Sequence, residues 1–240
     1  MKKDSLPLQA AITQYMPYLI EIRKRLLFVA AFFLIGGSIG FIFFEPIIKG
    51  VMRFYNLKGL NIVFTSPFQY INLSVNAAVA VGLFAAFPLI VYQIVSFLKP
   101  ALRGKEYKLI LSSIPASIFL FIAGFGFGSW MMKLVISVFS HQAASLNIQN
   151  LWDIENFVQN IFMMSIFMGF LFQFPIVLTP LIRLKVIKYQ KLVDYRLTIY
   201  LALLILVIML PGTDILTDAL EFFPLAFLFE ITLLLNRNYR

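Results

Sequence analysis

Two glutamates stand in segments of the sequence that are otherwise rich in cations. Glu21 lies in YLIEIRKRLL and Glu106 lies in KPALRGKEYK, and each comes just before a long apolar run. A carboxylate can bind a guanidinium through two parallel hydrogen bonds, so two glutamates could bind a pair of arginines on a ligand. The alternative is a local salt bridge, and the available partners are Arg23, Arg25 and Arg103. Exposed acids among cations usually form such weak local pairs, so the residues alone favour that alternative.

Three polar residues at or near the apolar runs are further candidates. Glu230, in FLFEITLLL, is the only ionisable residue inside a predicted span. A carboxylate in lipid is expensive unless it is paired or hydrated, so it marks either a functional site or a helix end that water reaches. Gln173, in FLFQFPIV, can hydrogen-bond between helices, either as packing or as a partner site. Asp214 follows a Pro-Gly pair and could cap the last helix.

Four prolines indicate kinks or loops. Pro88 should kink the second span, with Gln93 about a turn and a half further on. Pro175 frees a backbone carbonyl near Gln173. The other two belong to connections: Pro67 and Pro211.

Enzyme signatures are absent from the sequence. It has no HExxH, GxSxG, P-loop or dinucleotide-binding motif, so we expect no catalytic residue and no cofactor. Cysteine is absent and there is one histidine, so we expect no disulfide and no metal site.

The composition indicates an integral membrane protein. The 240 residues are 61% hydrophobic and 13% charged, and the mean hydropathy is +0.89. The predicted fold is all-α, a polytopic bundle of six transmembrane helices in one domain, 26–235, between a cytoplasmic N-terminal segment, 1–25, and a cytoplasmic tail, 236–240. No cleaved signal peptide is expected. The predicted spans are about 26–44, 71–98, 109–132, 157–182, 197–210 and 222–235.

The distribution of cations predicts the orientation. Of the 20 lysines and arginines, 16 fall on the side of the two termini if there are six spans. Cations collect on the cytoplasmic side of membrane proteins, so both termini are predicted to be cytoplasmic. The net charge of +9 is therefore attributed to topology and not to nucleic-acid binding.

The connections and the last two spans also carry information. The outer segments 45–70 and 133–156 mix aromatic and polar residues and are expected to form short interfacial helices. The last two predicted spans are short, which implies local thinning of the bilayer.

No internal repeat is visible, which weakens the alternative of a secondary transporter or channel using Glu230 and Gln173 as midplane ligands. A purely structural subunit is a third possibility.

Four segments together resemble a known family. YLIEIRKRLL, FTSPFQYINLSV, AAFPLIVYQIVSFLKPALRGKEYK and FLFQFPIV are followed by a last hairpin with LPGTD and FPLAFLFEI. They are similar to the TatC family, the multispanning receptor of the twin-arginine protein translocase. The resemblance runs from about Tyr18 to Arg237, nearly the whole chain.

The resemblance implies a function and a site. It implies a receptor and core subunit that binds the arginine pair of signal peptides at the cytoplasmic face of the bacterial inner membrane, and that exports folded proteins using the proton-motive force. The implied binding residues are Glu21, Glu106, Arg23, Phe97, Pro100 and Leu102. The implied partners are the single-span subunits TatA and TatB, further copies of the chain and the lipid bilayer. Gln173, Asp214 and Glu230 would be either contacts for partner helices or polar residues within the membrane.

The sequence departs from the family pattern at two positions. The family often has histidine where this chain has Tyr18, and usually a carboxylate where it has Gln173. The carboxylates at Glu230 and Asp214 are retained.

The bundle implied by the resemblance is a concave cup and not a closed pore.

Overall fold

The protein is mostly helical. The computed structural model describes residues 5–55, 61–99, 102–145, 151–209 and 214–239. Its helices are α1 Ser5–Ile42, α2 Phe44–Tyr55, α3 Gln69–Leu98, α4 Gly104–Leu111, α5 Ile114–Ser145, α6 Ile154–Leu171, α7 Phe174–Arg183, α8 Tyr189–Asp194, α9 Arg196–Ile208 and α10 Ile215–Leu235. Two short strands, β1 Asn61–Val63 and β2 Leu151–Asp153, and a 3-10 turn at Arg237–Tyr239 complete the described part.

Within the described residues, four helical segments are long and apolar enough to cross a membrane. They are Tyr18–Ile42, Gln69–Phe97, Glu106–Gln142 and Ile154–Arg183. They correspond to the first four predicted spans. The assignment of α9 and α10 as a fifth and a sixth span stays a prediction.

Two predicted helix boundaries were wrong, and one helix that was predicted to be short is short. Helix α5 runs on to Ser145, so residues 133–145 continue this helix and do not form the separate short helix that was expected. Helix α10 has 21 residues and begins at Ile215, seven residues before the predicted start. Helix α9 has only 13 residues, about 20 Å at 1.5 Å per residue. Only one helix of the last hairpin is therefore short.

The fourth predicted span is interrupted. Helix α6 ends at Leu171 and α7 begins at Phe174, with Gln173 between them. Pro175 lies in the first turn of α7, where a missing backbone N–H is tolerated. Pro88, in contrast, lies inside the continuous helix α3. Pro67 lies in the turn that precedes α3, and Pro211 is outside the described residues.

Small residues allow α5 and α6 to approach closely. A Cβ at Gly124 would lie 2.5 Å from the carbonyl oxygen of Met168, and one at Gly128 would lie 2.9 Å from that of Met164. A Cβ at Gly126, halfway between them in the sequence, would meet nothing within 4 Å. Spacing of four residues places Gly124 and Gly128 on one helical face, so these two glycines form the seam with α6.

The connections that precede α3 and α6 meet in a small parallel sheet. Asn61 pairs with Leu151 and Val63 with Asp153, so the prediction of an all-α fold missed a two-stranded element. Helix α2 confirms the expected helix in segment 45–70 and buries Ile48 and Tyr55 against the core. The Tyr55 hydroxyl donates to the Ser129 carbonyl at 2.8 Å, and burial raises the pKa of Tyr55 to about 12.

Asp153 links this sheet to α3 and α6. Its Oδ2 accepts a hydrogen bond from the Thr65 hydroxyl at 2.5 Å and another from Gln69 Nε2. Its Oδ1 accepts from the backbone N–H of Asn156 at 3.0 Å and so caps α6. These hydrogen bonds, the Thr65 hydroxyl first, hold the pKa of Asp153 below its ordinary value.

We expect the stability of this end of the molecule to fall in acid because of Asp153. A carboxyl with a lowered folded-state pKa adds stability above its ordinary pKa of about 4, and this stability is lost as the pH falls through the folded value. The thermal midpoint of the full chain in detergent, followed from pH 7 to pH 3, should therefore decline less in Asp153→Asn. The control is Asp194→Asn, since Asp194 is exposed and, among the described residues, accepts one long hydrogen bond, from Gln190 at 3.4 Å. An identical decline in the wild type and Asp153→Asn would contradict the prediction.

Candidate functional site

The site lies at one end of the helical bundle. Helix α1 passes there at Glu21, α3 ends there at Leu98, and α4 begins there at Gly104. We call this the Glu21 end. The β1–β2 sheet lies at the opposite ends of α3 and α6, because both strands precede those helices.

Glu21 is held by a neighbouring guanidinium. Arg25 Nη2 and Nε donate to Glu21 Oε1 at 2.6 and 3.1 Å. The two residues are four positions apart on α1 and therefore share a helical face. Arg25 also contacts α3: its Nη1 donates to Oε1 of Gln93 at 2.8 Å and to the Gln93 carbonyl at 3.2 Å. Its guanidinium carbon lies 6.0 Å from the centre of the Phe97 ring.

The predicted local pair of Glu21 is thus present, and its partner is Arg25. The side chains of Arg25 and Glu21 are 22% and 42% exposed, so solvent still reaches the carboxylate. Pairs of this exposure contribute little to stability, which leaves Glu21 available for other functions.

Glu106 caps the helix on which it lies. Its Oε2 accepts a hydrogen bond from the backbone N–H of Arg103 at 2.8 Å, and Glu106 is the third residue of α4. A carboxylate in the first turn also interacts favourably with the helix dipole. The contact with Arg103 is to its backbone, and no ion pair of Glu106 is found among the described residues. Among the described residues, no salt bridge therefore neutralises the charge of Glu106.

The other predicted binding residues differ in position. Arg23 is exposed on α1, one residue after the groove-lining Ile22. Phe97 lies beside Arg25, as described, and Leu102 is half-buried just before α4. Pro100 is outside the described residues. A shallow apolar groove between α1 and α3 leads away from Arg25 and is lined by Ile22, Leu26, Val29, Ile90 and Ile94.

Gln173 is engaged within the bundle. Its Oε1 accepts from the Ser117 hydroxyl at 2.5 Å, and its Nε2 donates to the carbonyls of Ser117 and Gly169, both at 3.2 Å. Gln173 therefore links the interruption between α6 and α7 to α5, as expected of a packing residue. A partner helix that bonded Gln173 would have to replace these contacts.

Glu230 has partners that the sequence did not reveal. The Tyr200 hydroxyl donates to Glu230 Oε1, and Arg196 Nη2 lies 3.6 Å from Oε2. The side chain is 40% exposed, so Glu230 is not an isolated buried carboxylate. Both partners lie on α9, and the cluster ties the short helix to α10.

Asp214 lies at the other end of α10. It caps that helix, as predicted, with Oδ1 accepting from the backbone N–H of Thr217 at 2.9 Å and Oδ2 from its hydroxyl at 2.5 Å. Sixteen residues of helix separate it from Glu230, roughly 24 Å. The three residues implied in partner docking are therefore not brought together in one site.

Glu221 is buried, and no local pattern in the sequence indicates this. Its exposure is 1%, and neither carboxylate oxygen has a hydrogen-bond partner among the described residues. The spacing of Asp214, Asp218 and Glu221 places the three near one face of α10, but it does not say which neighbouring helix that face meets. Burial followed from tertiary packing, which no local pattern records.

Comparisons with known proteins agree on one family. The family model described as Sec-independent protein translocase protein (TatC) matches residues 17–224. The chain is 29% identical over 221 residues to TatCy of Bacillus subtilis, covering 92% of this chain and 87% of that protein. It is 27% identical to TatCd of the same organism, covering 93% and 91%. These relatives are named as protein translocase proteins, which disfavours the solute-transporter alternative.

Solved structures show the same fold. A crystal structure described as the twin arginine translocase receptor TatC superimposes with a TM-score of 0.79 at 24% identity, covering 92% of this chain and 98% of that one. A second, in the detergent DDM, gives a TM-score of 0.81 at 26% identity, covering 90% and 98%. Since the family model covers well over half of the chain and the helices agree with these structures, the chain belongs to the TatC family of Sec-independent protein translocase proteins.

Proposed function

We propose that this translocase protein is the receptor that binds the arginine pair of twin-arginine signal peptides, and that Glu21 and Glu106 provide the carboxylates. Arg23, Phe97, Pro100 and Leu102 would shape the surface around them. A crystal structure similar to this chain is described as a twin arginine translocase receptor, which supports the proposal.

The observation that carries the proposal is that Glu21 already binds a guanidinium. Two nitrogens of Arg25 converge on one of its oxygens, so the carboxylate is placed and oriented for that group. Glu106 lies on the helix that follows α3, at the same end, and its charge has no ion-pair partner among the described residues. Two arginines next to each other in a peptide could then each find a carboxylate.

The wider assembly follows from this role. We propose six spans with both termini in the cytoplasm of a bacterial cell, so that the Glu21 end faces the cytoplasm and meets the signal peptide before transport. The single-span subunits TatA and TatB would dock on the bundle, with Gln173, Asp214 and Glu230 as candidate contacts, and copies of the chain would associate. Export would use the proton-motive force. The 13-residue helix α9 supports local thinning of the bilayer at the last hairpin.

Site-specific crosslinking tests the receptor role. A photo-reactive residue at Leu102 is expected to crosslink to a twin-arginine signal peptide and much less to its twin-lysine variant, because an ammonium cannot make the bidentate contact. The crosslink should also be lost in the variant carrying Glu21→Gln and Glu106→Gln, which keeps size and removes both charges. Glu45→Gln is the matched control, since Glu45 is an exposed carboxylate on α2.

Equal crosslinks with both peptides and in all three proteins would contradict the proposal. In that case Glu21 and Glu106 would serve only as the local partners that their contacts with Arg25 and Arg103 already show. A crosslink that needs both arginines and both glutamates is the expected result.

A further inference from the structure

Every nitrogen of the Arg25 guanidinium has an acceptor. Nε and Nη2 donate to the Glu21 carboxylate, and Nη1 donates to both oxygens of Gln93. The Phe97 ring lies 6.0 Å from the guanidinium carbon. The side chain is only 22% exposed although it lies at the end of the bundle. A carboxylate, an amide and an aromatic ring are the groups that proteins use to recognise an arginine of another molecule.

Two helices supply these groups in matching pairs. Glu21 and Arg25 are four residues apart on α1, and Gln93 and Phe97 are four residues apart on α3. Each pair therefore lies on one face of its helix, and the hydrogen bonds between Arg25 and Gln93 show that the two faces meet. The three residues around the guanidinium belong to two helices that pack along their length, so their arrangement does not depend on the loop that follows α3.

We propose that Glu21, Gln93 and Phe97 form a guanidinium cage, that Arg25 occupies this cage in the peptide-free protein, and that an arginine of the bound peptide takes its place. The inference rests on the proposed function for the identity of the ligand. It adds Gln93 to the binding residues and gives Arg25 the role of an internal competitor. When Arg25 is displaced, the apolar stem of its side chain can pack in the apolar groove beside it.

Displacement has a quantitative signature. The apparent Kd of a partly blocked site is its intrinsic Kd divided by the fraction of molecules in which the site is free. If Arg25 occupies the cage in nine-tenths of the molecules, the apparent affinity for the peptide falls about tenfold. The factor is the same for every ligand of the cage, because the competitor is the same. Removal of Arg25 should therefore strengthen the binding of twin-arginine and twin-lysine peptides equally, and the preference for arginine should not change.

The test compares peptide affinities of the full chain in lipid nanodiscs. Arg25→Ala is expected to bind a fluorescent twin-arginine signal peptide about tenfold more tightly than the wild type, and a twin-lysine peptide more tightly by the same factor. Lys24→Ala is the matched control for the loss of one cation, since Lys24 is exposed on the same helix turn. Its effect should be small. If Arg25→Ala does not fold, Arg25→Lys keeps the charge but loses the planar fork, and should also bind more tightly than the wild type.

Several results would overturn the proposal. Weaker binding by Arg25→Ala and Arg25→Lys would mean that Arg25 holds Glu21 in place for the peptide. Equal strengthening by Lys24→Ala would mean that only the overall positive charge opposes the peptide. If no protein binds the peptide, the wild type included, the proposed function is overturned. The cage itself is then tested with a small guanidinium cation.

A small cation tests the cage without a peptide. Ethylguanidinium should raise the thermal midpoint of Arg25→Ala more than ethylammonium does, because only the guanidinium can bond the Glu21 carboxylate and the Gln93 amide together. It should not do so in the wild type, or in Arg25→Ala combined with Glu21→Gln. The same response in all three proteins would show that no cage exists.

Discussion

Replacement of Glu106 by glutamine is expected to weaken the binding of a twin-arginine signal peptide by roughly 10- to 100-fold. A hydrogen bond to a charged group contributes about 1.5–3 kcal/mol, and each 1.4 kcal/mol corresponds to a factor of ten in affinity. Glutamine keeps an oxygen that can accept the Arg103 N–H, so α4 should remain capped. Peptide titration of the full chain and a thermal melt of the same samples measure the two effects separately.

Glu106→Ala provides the comparison for the cap. Alanine removes both the charge and the hydrogen bond to Arg103, so it should lose peptide binding to the same extent and also lose about 1 kcal/mol of local stability. A glutamine variant that binds the peptide as well as the wild type would show that the role of Glu106 is to begin α4. The receptor proposal would then depend on Glu21 alone.

The second large effect is expected where α5 meets α6. Gly124→Ala should lower the thermal midpoint of the detergent-solubilised chain, because the new Cβ would lie 2.5 Å from the Met168 carbonyl oxygen and 2.7 Å from Cγ of Phe172. Backbone atoms cannot move aside without separating the helices, and forced overpacking of this kind costs about 1–3 kcal/mol.

Gly126→Ala is the matched control on the same helix. Nothing lies within 4 Å of a Cβ at that position, and alanine is a better helix former than glycine by up to about 1 kcal/mol. The two substitutions are chemically identical and two residues apart, yet their effects on the thermal midpoint should have opposite signs. A midpoint for Gly124→Ala at or above that of the wild type would contradict the close approach of α5 and α6.

The first four spans could be predicted because hydrophobicity is a local property of the chain. The alternating glycines of α5 were visible in the sequence, but which of them face α6 depends on helical phase and on the partner helix. The start of α10 was placed too late because its first turns carry Asp218 and Glu221, which interrupt the apolar run. The cap at Asp214 was predicted correctly because capping, like hydrophobicity, depends only on residues close together in the sequence.

The candidate site was predictable in part. Local charge patterning identified Glu21 and its possible partners, and Arg25 lies one helical turn away. Gln93, which contacts Arg25, lies 68 residues further along the chain, and Tyr200 and Glu230 are 30 residues apart. Pairings at such distances follow from tertiary packing, which one sequence does not contain. The β1–β2 pair was missed because three-residue strands leave no periodic signal.

The pairing of β1 with β2 also sets an order of events during synthesis. Thr65 and Asp153 are 88 residues apart, and two membrane-spanning helices lie between them. At 5–20 residues per second, the second partner is made about 4–18 s after the first. During that interval the connection between α2 and α3 has neither its sheet partner nor the Asp153 carboxylate. The closure of this end of the protein is therefore a late folding step, which can begin only after β2 has been synthesised.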